Sequence, residues 1–212
     1  TDEQRQRLIE IVKHDVKRMD RLITDISDAS RLDAELARSE SAPVDVAKLL
    51  GAIVLLSNET AKANDAEVLL HVQPPGPGQT QDTAYRILGQ DSRLSQVFRN
   101  LIDNARSFTA AGSKIHVRLR RVGGELEVRV EDSGPGIRPE NLERVFERFY
   151  TDRPEQSFGK NSGLGLAISR QIVEAHKGRI WAENRFGKPD AEGERPVLGA
   201  RFIVRIPAAP NA

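Results

Sequence analysis

The sequence predicts an α/β fold in which helices cover one side of a mixed, mainly antiparallel sheet, forming a two-layer α/β sandwich behind one long helix. Two observations predict the sheet and its helices. Residues 115–131 alternate apolar and charged side chains on both sides of Gly123-Gly124, a pattern typical of a β-hairpin. Residues 92–109 and 163–176 place apolar side chains three and four positions apart, which indicates amphipathic helices. Because each element has one apolar face, packing the helices on the sheet buries both faces.

The first element is a long helix, since residues 3–38 contain neither proline nor glycine. Apolar side chains recur three or four positions apart, at Ile9, Val12, Val16, Met19, Ile23 and Ile26. This spacing predicts the contact seam of a coiled coil or helical bundle, and a lone solvated linker helix is the alternative. An apolar stripe of this width needs partner helices, and Pro43 marks the end of the helix.

The remaining elements follow in chain order. We expect a helix over 44–64, strands over 67–72 and 86–89, the helix of 92–109, the hairpin, the helix of 163–176, and strands over 179–184 and 201–206. The polar side of the hairpin alternates arginine and glutamate, which predicts a solvent-facing surface with cross-strand ion pairs of ~0.2–1 kcal/mol each.

Composition limits the possible functions. With a net charge of +1, the 212 residues have no overall field that would attract nucleic acid. The absence of cysteine excludes disulfides, zinc–thiolate sites and thiol catalysis. The longest apolar run, 49–56, is far shorter than the ~20 residues that span a bilayer. Because the chain begins inside a polar helix without a methionine, we expect a fragment whose membrane segments lie upstream.

Three polar or glycine-rich segments point to a ligand. Asn100 and Asn104 are four positions apart, so their carboxamides lie on the same face of a helix. Asp132 ends a strand and enters the glycine turn Ser-Gly-Pro-Gly136, where bare backbone can approach a flat polar ligand. Gly163-Leu-Gly165 opens the last helix, where free N–H groups and the helix dipole favour phosphate. Together these segments suggest a bound nucleotide with a metal ion.

The same segments resemble four motifs of one family. From about residue 44 onward, the chain resembles the ATP-binding catalytic domain (Bergerat-type fold) of bacterial sensor histidine kinases. That domain belongs to the wider ATPase superfamily that includes DNA gyrase, the mismatch-repair ATPases and a heat-shock chaperone. The matching segments are 100–109 (N box), 132–137 (first glycine box), 145–150 (F box) and 163–168 (second glycine box). Within the N box, Asn-Ala-Arg-Ser-Phe is similar to the ChvG-type sensor kinases of alphaproteobacteria.

This resemblance implies a role for each matched residue. Asp132 would bind the adenine amino group, Asn100 would reach Mg²⁺, and segment 151–162 would form a lid over the phosphates. The implied nucleotide-binding residues are Asn104, Arg106, Phe108, Asp132, Gly134, Gly136, Ile137, Arg153, Lys160, Gly163, Leu164 and Gly165. The family often has lysine three positions after the second asparagine, where this chain has Ser107 preceded by Arg106. Either Arg106 replaces that contact by another route or the contact is lost.

The resemblance also implies an activity. Residues 1–42 would be the second helix of a dimerisation hairpin and 43–212 the catalytic domain, which would transfer the ATP γ-phosphoryl group to a histidine. None of the four histidines lies in the family's acceptor motif, so we expect the acceptor upstream and no autophosphorylation by this piece alone. Relay to a response-regulator aspartate, homodimerisation through the N-terminal helix and a cytoplasmic position below an inner membrane are the further expectations.

Two other functions remain open. One is an ATP-hydrolysing dimer clamp, and the other is a scaffold that no longer binds nucleotide. The clamp relatives resemble each other in placing a glutamate base where this chain has Asn100, and a carboxamide cannot accept a proton. Asparagine at this position suits a nucleophile that is already basic, such as a neutral imidazole.

Overall fold

The computed structural model of the chain describes residues 4–6, 8, 9, 12, 16, 19, 23, 41–76, 80–150, 163–191 and 193–209. From residue 41 onward, a five-stranded sheet carries helices on one face, which confirms the predicted two-layer α/β sandwich. The strands are β1 (Ala42–Asp45), β2 (Glu67–Val72), β3 (Arg86–Gly89), β4 (Lys114–Val122), β5 (Glu125–Glu131), β6 (Arg179–Phe186) and β7 (Val197–Pro207). The α-helices of this part are α1 (Val46–Glu59), α2 (Gln81–Ala84), α3 (Asp91–Phe108) and α4 (Gly165–Ala175). Two short 3-10 helices span Pro139–Asn141 and Arg144–Phe146.

The main sheet has the strand order β2-β4-β5-β7-β6. β2 runs parallel to β4, and the other neighbouring pairs are antiparallel. The predicted hairpin is formed by β4 and β5 around Gly123-Gly124, where Gly123 has a φ of 60°. This order places the end of β5 beside the start of β7, and the site described below forms there.

Alternating side chains of the strands and the apolar stripes of three helices form the core. From the sheet, the buried residues include Ile115, Val117, Leu119, Leu126, Val128, Val130, Phe202, Val204 and Ile206. From the helices they include Leu50 and Ile53 of α1, Phe98, Leu101 and Ile102 of α3, and Ile168 and Ile172 of α4. The apolar side of α3 is therefore fixed against the sheet, so its opposite side is available for polar groups.

The outer face of the sheet carries the predicted arginine and glutamate pairs. At its centre, Glu127 is fully buried because three guanidinium groups cover its carboxylate, those of Arg120 at 2.6 Å, Arg129 at 2.6 Å and Arg205 at 2.7 Å. Burial alone would raise the pKa of Glu127, but hydrogen bonds from the guanidinium groups lower it to about 2.

The helix predicted over 44–64 is wrong at both ends. It begins at Val46, because Asp45 caps it by accepting the N–H groups of Ala47 and Lys48 at 3.1 Å each, an arrangement worth ~1 kcal/mol. The residues before it form β1, which the sequence reasoning missed and which pairs antiparallel with β3. The helix ends at Glu59, where the side chain of Asn58 bonds the backbone of Val68 in β2.

The described residues of the N-terminal segment are helical, as predicted. Its described apolar side chains are exposed by 44% to 64%, namely those of Leu8, Ile9, Val12, Val16, Met19 and Ile23. The rest of this segment lies outside the described residues. Among the helices that are described, none has both the length and the apolar content needed to cross a bilayer.

Candidate functional site

Asp132 lies at the end of β5 and is 2% exposed. Its Oδ1 atom accepts two backbone hydrogen bonds, from the N–H of Gly134 and from the N–H of Ala200 in β7, at 2.9 Å each. β7 can approach this closely because Gly199 has a φ of +139° and a β-carbon there would lie 2.1 Å from the carbonyl oxygen of Asp132. The carboxylate is therefore fixed through one oxygen, and no described group donates to Oδ2.

The electrostatics of Asp132 combine opposing effects. Burial raises the pKa of its carboxyl group, while the two N–H donors and the charge of Arg185 lower it, and the net shift is upward. Arg185 also donates a hydrogen bond from Nη1 to the carbonyl oxygen of Asp132. A buried acceptor with a raised pKa at a strand end has the properties expected of a ligand-binding carboxylate.

The end of α3 meets the turn that follows Asp132. A β-carbon at Gly134 would lie 2.8 Å from the carbonyl oxygen of Phe108 and 3.2 Å from its β-carbon. Phe108 itself is 37% exposed. The structure thus brings together Phe108, Asp132 and Gly134.

The far end of the same turn is held by Asn184 of β6. The N–H of Ile137 donates to Asn184 Oδ1 at 2.8 Å, and Asn184 Nδ2 donates to the carbonyl oxygen of Ile137 at 2.7 Å. Gly136 has a φ of +81°, and a β-carbon there would lie 2.8 Å from Asn184 Oδ1. Gly136 and Ile137 therefore contact β6 directly.

Asn100 lies two helical turns before Phe108 and contacts the start of α4. Its Nδ2 atom donates to the carbonyl oxygen of Gly165 at 3.1 Å and lies 3.4 Å from the hydroxyl of Ser169. Both donor directions of the amide are thus used, while Oδ1 accepts no hydrogen bond from the described part of the chain. Asn104, half-buried, lies one turn further along the same face.

Gly163 and Leu164 connect the site to the F box. The carbonyl oxygen of Gly163 accepts the N–H of Phe149 at 3.0 Å, and Leu164 is buried. Phe149 has a φ of 65°, which is uncommon for a residue with a β-carbon. The chain segments on the two sides of residues 151–162 therefore meet at this contact. Arg153 and Lys160 lie outside the described residues.

Arg106 does not lie in this site. Its Nη2 atom donates to the carbonyl oxygens of Ser57, at 3.2 Å, and Ala66, at 3.5 Å. The guanidinium group is thus placed in the packing between α3, α1 and the start of β2, away from Asp132. The expectation that Arg106 replaces the family lysine is not supported by this position. The hydroxyl of Ser107 donates to the carbonyl oxygen of Asn104 at 2.6 Å.

The predicted residues that the structure does bring together follow one face of α3. Asn100, Asn104 and Phe108 are spaced four apart and so span ~12 Å of helix. The Asn100 end touches Gly165, and the Phe108 end touches Gly134. Sequence reasoning missed Asn184, Arg185, Gly199, Ala200 and Ser169, which hold these parts in place. These residues lie outside the four matched segments, and their contacts have no local sequence pattern.

An open cleft of about 690 Å³ lies elsewhere, between β1, α1 and the start of α3. It is lined by Ala42, Pro43, Val44, Asp45, Lys48, Leu49, Gly89, Gln90, Asp91 and Ser92. It contains none of the residues in the four matched segments, so we assign no role to it.

The chain is similar to known proteins in sequence and in fold. The sensor protein ChvG of Agrobacterium fabrum is 48% identical over 211 residues, which are 99% of this chain and 34% of that protein. The solved structure of full-length ShkA in complex with AMPPNP aligns with a TM-score of 0.73 at 28% identity, covering 100% of this chain and 40% of that one. The histidine kinase ThkA, solved in complex with the response regulator TrrA, aligns with a TM-score of 0.68 at 25% identity, covering 95% of this chain and 51% of that one.

The chain spans about a third of the length of the ChvG relatives that it matches. Residues 89–210 match the family model of the histidine kinase-, DNA gyrase B-, and HSP90-like ATPases. This match covers more than half of the chain and contains all four segments on which the resemblance was based. The chain therefore belongs to the family of histidine kinase-, DNA gyrase B-, and HSP90-like ATPases, and the relatives it matches are sensor histidine kinases.

Proposed function

We propose that residues 43–212 bind Mg-ATP as the catalytic domain of a sensor histidine kinase, and that the whole protein transfers the γ-phosphoryl group to a histidine. The observation that carries this proposal is the single face of α3 that joins two parts of the site. One part is the buried carboxylate of Asp132 with its glycine turn, and the other is the start of α4. A nucleotide needs a base-reading group and a phosphate-binding group at a fixed separation, and one rigid helix provides that separation.

Asp132 would accept a hydrogen bond from the adenine amino group. Its Oδ1 atom is already used by two N–H groups, which leaves Oδ2 for the base. Gly134, Gly136 and Ile137 would form the floor beneath the ring, and Phe108 would line its side. Because the turn has no side chain at its glycines, the base can approach the backbone closely.

Asn100 would hold the magnesium ion. Magnesium takes oxygen ligands, often one or two from the protein together with phosphate oxygens and water. Since Nδ2 is bonded to Gly165 and near Ser169, the oxygen of the Asn100 amide is the atom left to face a cation. When bound, magnesium would neutralise charge on the phosphates. Asn104 would contact the triphosphate, and the N–H groups of Gly163, Leu164 and Gly165 would bind its oxygens.

The proposed acceptor is a histidine rather than water. Asn100 stands where a base would be needed to activate water, and its amide side chain cannot take a proton. A neutral imidazole needs no such base. This point favours phosphotransfer over the clamp-type hydrolysis that other members of the family perform.

The remaining parts of the proposal extend beyond the described site. Arg153 and Lys160 would approach the phosphates from segment 151–162. Residues 1–42 would pair with an upstream helix and with a second copy, which the exposed apolar side chains of that segment support. A response regulator would receive the phosphoryl group, as the ThkA–TrrA complex suggests by analogy. In this view the described domain is the cytoplasmic portion of an inner-membrane sensor and binds no nucleic acid.

The test is calorimetry of the 212-residue chain with a non-hydrolysable ATP analogue, with and without Mg²⁺. We expect magnesium-dependent binding, steady-state hydrolysis far below the order of ten turnovers per second of a typical enzyme, and no phosphohistidine on this chain alone. If the chain bound no nucleotide at millimolar concentration, the only one of the three functions still possible would be a scaffold that does not bind nucleotide. Rapid hydrolysis would favour the clamp, and acid-labile phosphate on the isolated chain would contradict the missing-acceptor expectation.

A further inference from the structure

The two ends of the turn 132–137 are held by one pair of facing residues. Asn184 of β6 and Ala200 of β7 are register partners in the sheet. Ala200 donates its N–H to the carboxylate of Asp132, while Asn184 exchanges two hydrogen bonds with the peptide groups of Ile137. We propose that Asn184 is a positioning residue that fixes this turn in the shape that receives the nucleoside. The proposal rests on the proposed function and deepens it.

The Asn184 carboxamide imitates a strand backbone. It offers one acceptor and one donor to Ile137, at 2.8 Å and 2.7 Å, so both main-chain groups of that residue facing β6 are satisfied. No other amino acid of this size offers both functions. Aspartate keeps the acceptor but places a second acceptor against the Ile137 carbonyl oxygen, and alanine offers neither.

The turn depends on this contact because, although Pro135 fixes one φ angle, the residues on both sides of the proline are glycines. Gly134 and Gly136 have large conformational freedom, and Gly136 is held in the positive-φ region with a φ of +81°. Asp132 keeps its two N–H donors and its Arg185 contact when Asn184 is changed. Loss of the carboxamide would therefore release residues 135–137, while the carboxylate and its bond from Gly134 stay in position.

The chain contains a matched control at Asn58. The amide of Asn58 makes the same pair of bonds with Val68, donating to its carbonyl oxygen at 2.9 Å and accepting its N–H at 3.0 Å. Asn58 is exposed and Asn184 is half-buried, but the four hydrogen bonds that the two amides make are all partly buried, and both asparagines join a neighbouring strand or turn. Asn58 lies at the junction of α1 and β2, away from the turn. Replacing it with alanine therefore removes two similar hydrogen bonds but leaves the contacts of the turn unchanged.

The experiment measures ATP-analogue affinity and thermal unfolding for the wild-type chain, Asn184→Ala, Asn184→Asp and Asn58→Ala. We expect both alanine variants to unfold at lower temperature than the wild type. Asn184→Ala should bind about tenfold more weakly because both hydrogen bonds that hold Ile137 are lost, while Asn58→Ala stays within about twofold. Asn184→Asp, which keeps the side-chain shape, should also bind the ATP analogue more weakly. It replaces the alanine variant in the comparison if that variant does not fold.

Hydrogen exchange supplies a second readout that a general loss of stability would not produce. In Asn184→Ala the amide of Ile137, which loses its acceptor, should exchange faster, while the amide of Gly134 and those of 100–108 keep their protection. Equal nucleotide affinity in Asn184→Ala and Asn58→Ala, or unchanged exchange in the turn, would overturn the inference. Absence of binding in the wild-type chain would instead refute the proposed function on which it rests.

Discussion

Replacing Asp132 with asparagine tests the base-recognition step directly, because the structure fixes how the new side chain must lie. Oδ1 of Asp132 accepts two backbone N–H groups. An asparagine can keep both bonds only by placing its oxygen there, which turns its NH₂ group into the Oδ2 position. The variant would then present a donor where the wild type presents an acceptor.

The size of the effect follows from the hydrogen bonds concerned. The wild-type bond to the adenine amino group, worth about 0.5–1.5 kcal/mol, is lost. The NH₂ group of the asparagine and the amino group of adenine then face each other as two unsatisfied donors, which costs about 1–3 kcal/mol. The sum, about 1.5–4.5 kcal/mol, corresponds to a decrease in ATP affinity of about 10- to 1,600-fold. Guanine carries a carbonyl oxygen where adenine carries its amino group, so the preference for ATP over GTP should fall as well.

The fold should tolerate this change. Burial disfavours the charged form of Asp132, as the raised pKa of its carboxyl group indicates, so a neutral amide places no new charge in the interior. Calorimetry with ATP and GTP analogues, together with thermal unfolding, measures both properties. An Asp132→Asn variant that unfolds like the wild type and binds ATP equally well would refute the assignment of the base to Asp132.

Three further predictions concern the supports of the site and the sheet. Gly199→Ala would place a β-carbon 2.1 Å from the Asp132 carbonyl oxygen, so it should abolish ATP binding and lower the unfolding temperature, whereas Gly124→Ala, with open space around it, should do neither. Glu127→Gln should lower the free energy of unfolding at pH 7 by about 1–3 kcal/mol after allowance for solvent screening. Because the folded pKa of Glu127 is about 2 and its ordinary value is 4.5, the wild-type contribution is present above pH 4.5 and is lost as the pH falls toward 2. Urea unfolding at pH 7 and pH 3 should therefore show a smaller difference between variant and wild type at pH 3. Asn100→Asp should make ATP binding depend more steeply on Mg²⁺, and a magnesium titration identical to that of the wild type would contradict the metal role.

The sequence allowed the layers, the hairpin and the site-bearing segments to be predicted, because each has a local pattern. The alternation of β4 and β5 and the four-residue spacing of Asn100 and Asn104 are visible within a few positions. The contact of Asn184 with Ile137 is not, since it joins residues 47 positions apart through side-chain and backbone atoms. The position of the Arg106 side chain was not predictable for a similar reason. Arg106 belongs to the N box in sequence, but its guanidinium group donates to the carbonyl oxygens of Ser57 and Ala66, which are 49 and 40 positions away.

The contact between Phe149 and Gly163 has a consequence for how this domain can vary. Their hydrogen bond closes the chain at the base of the intervening segment, so the ends of that segment are joined whatever its length. The entropy of closing a loop grows only slowly with length, by about 0.6 kcal/mol for each doubling. The entropy cost of closing this segment should therefore change little when relatives carry a longer or shorter sequence between Phe149 and Gly163.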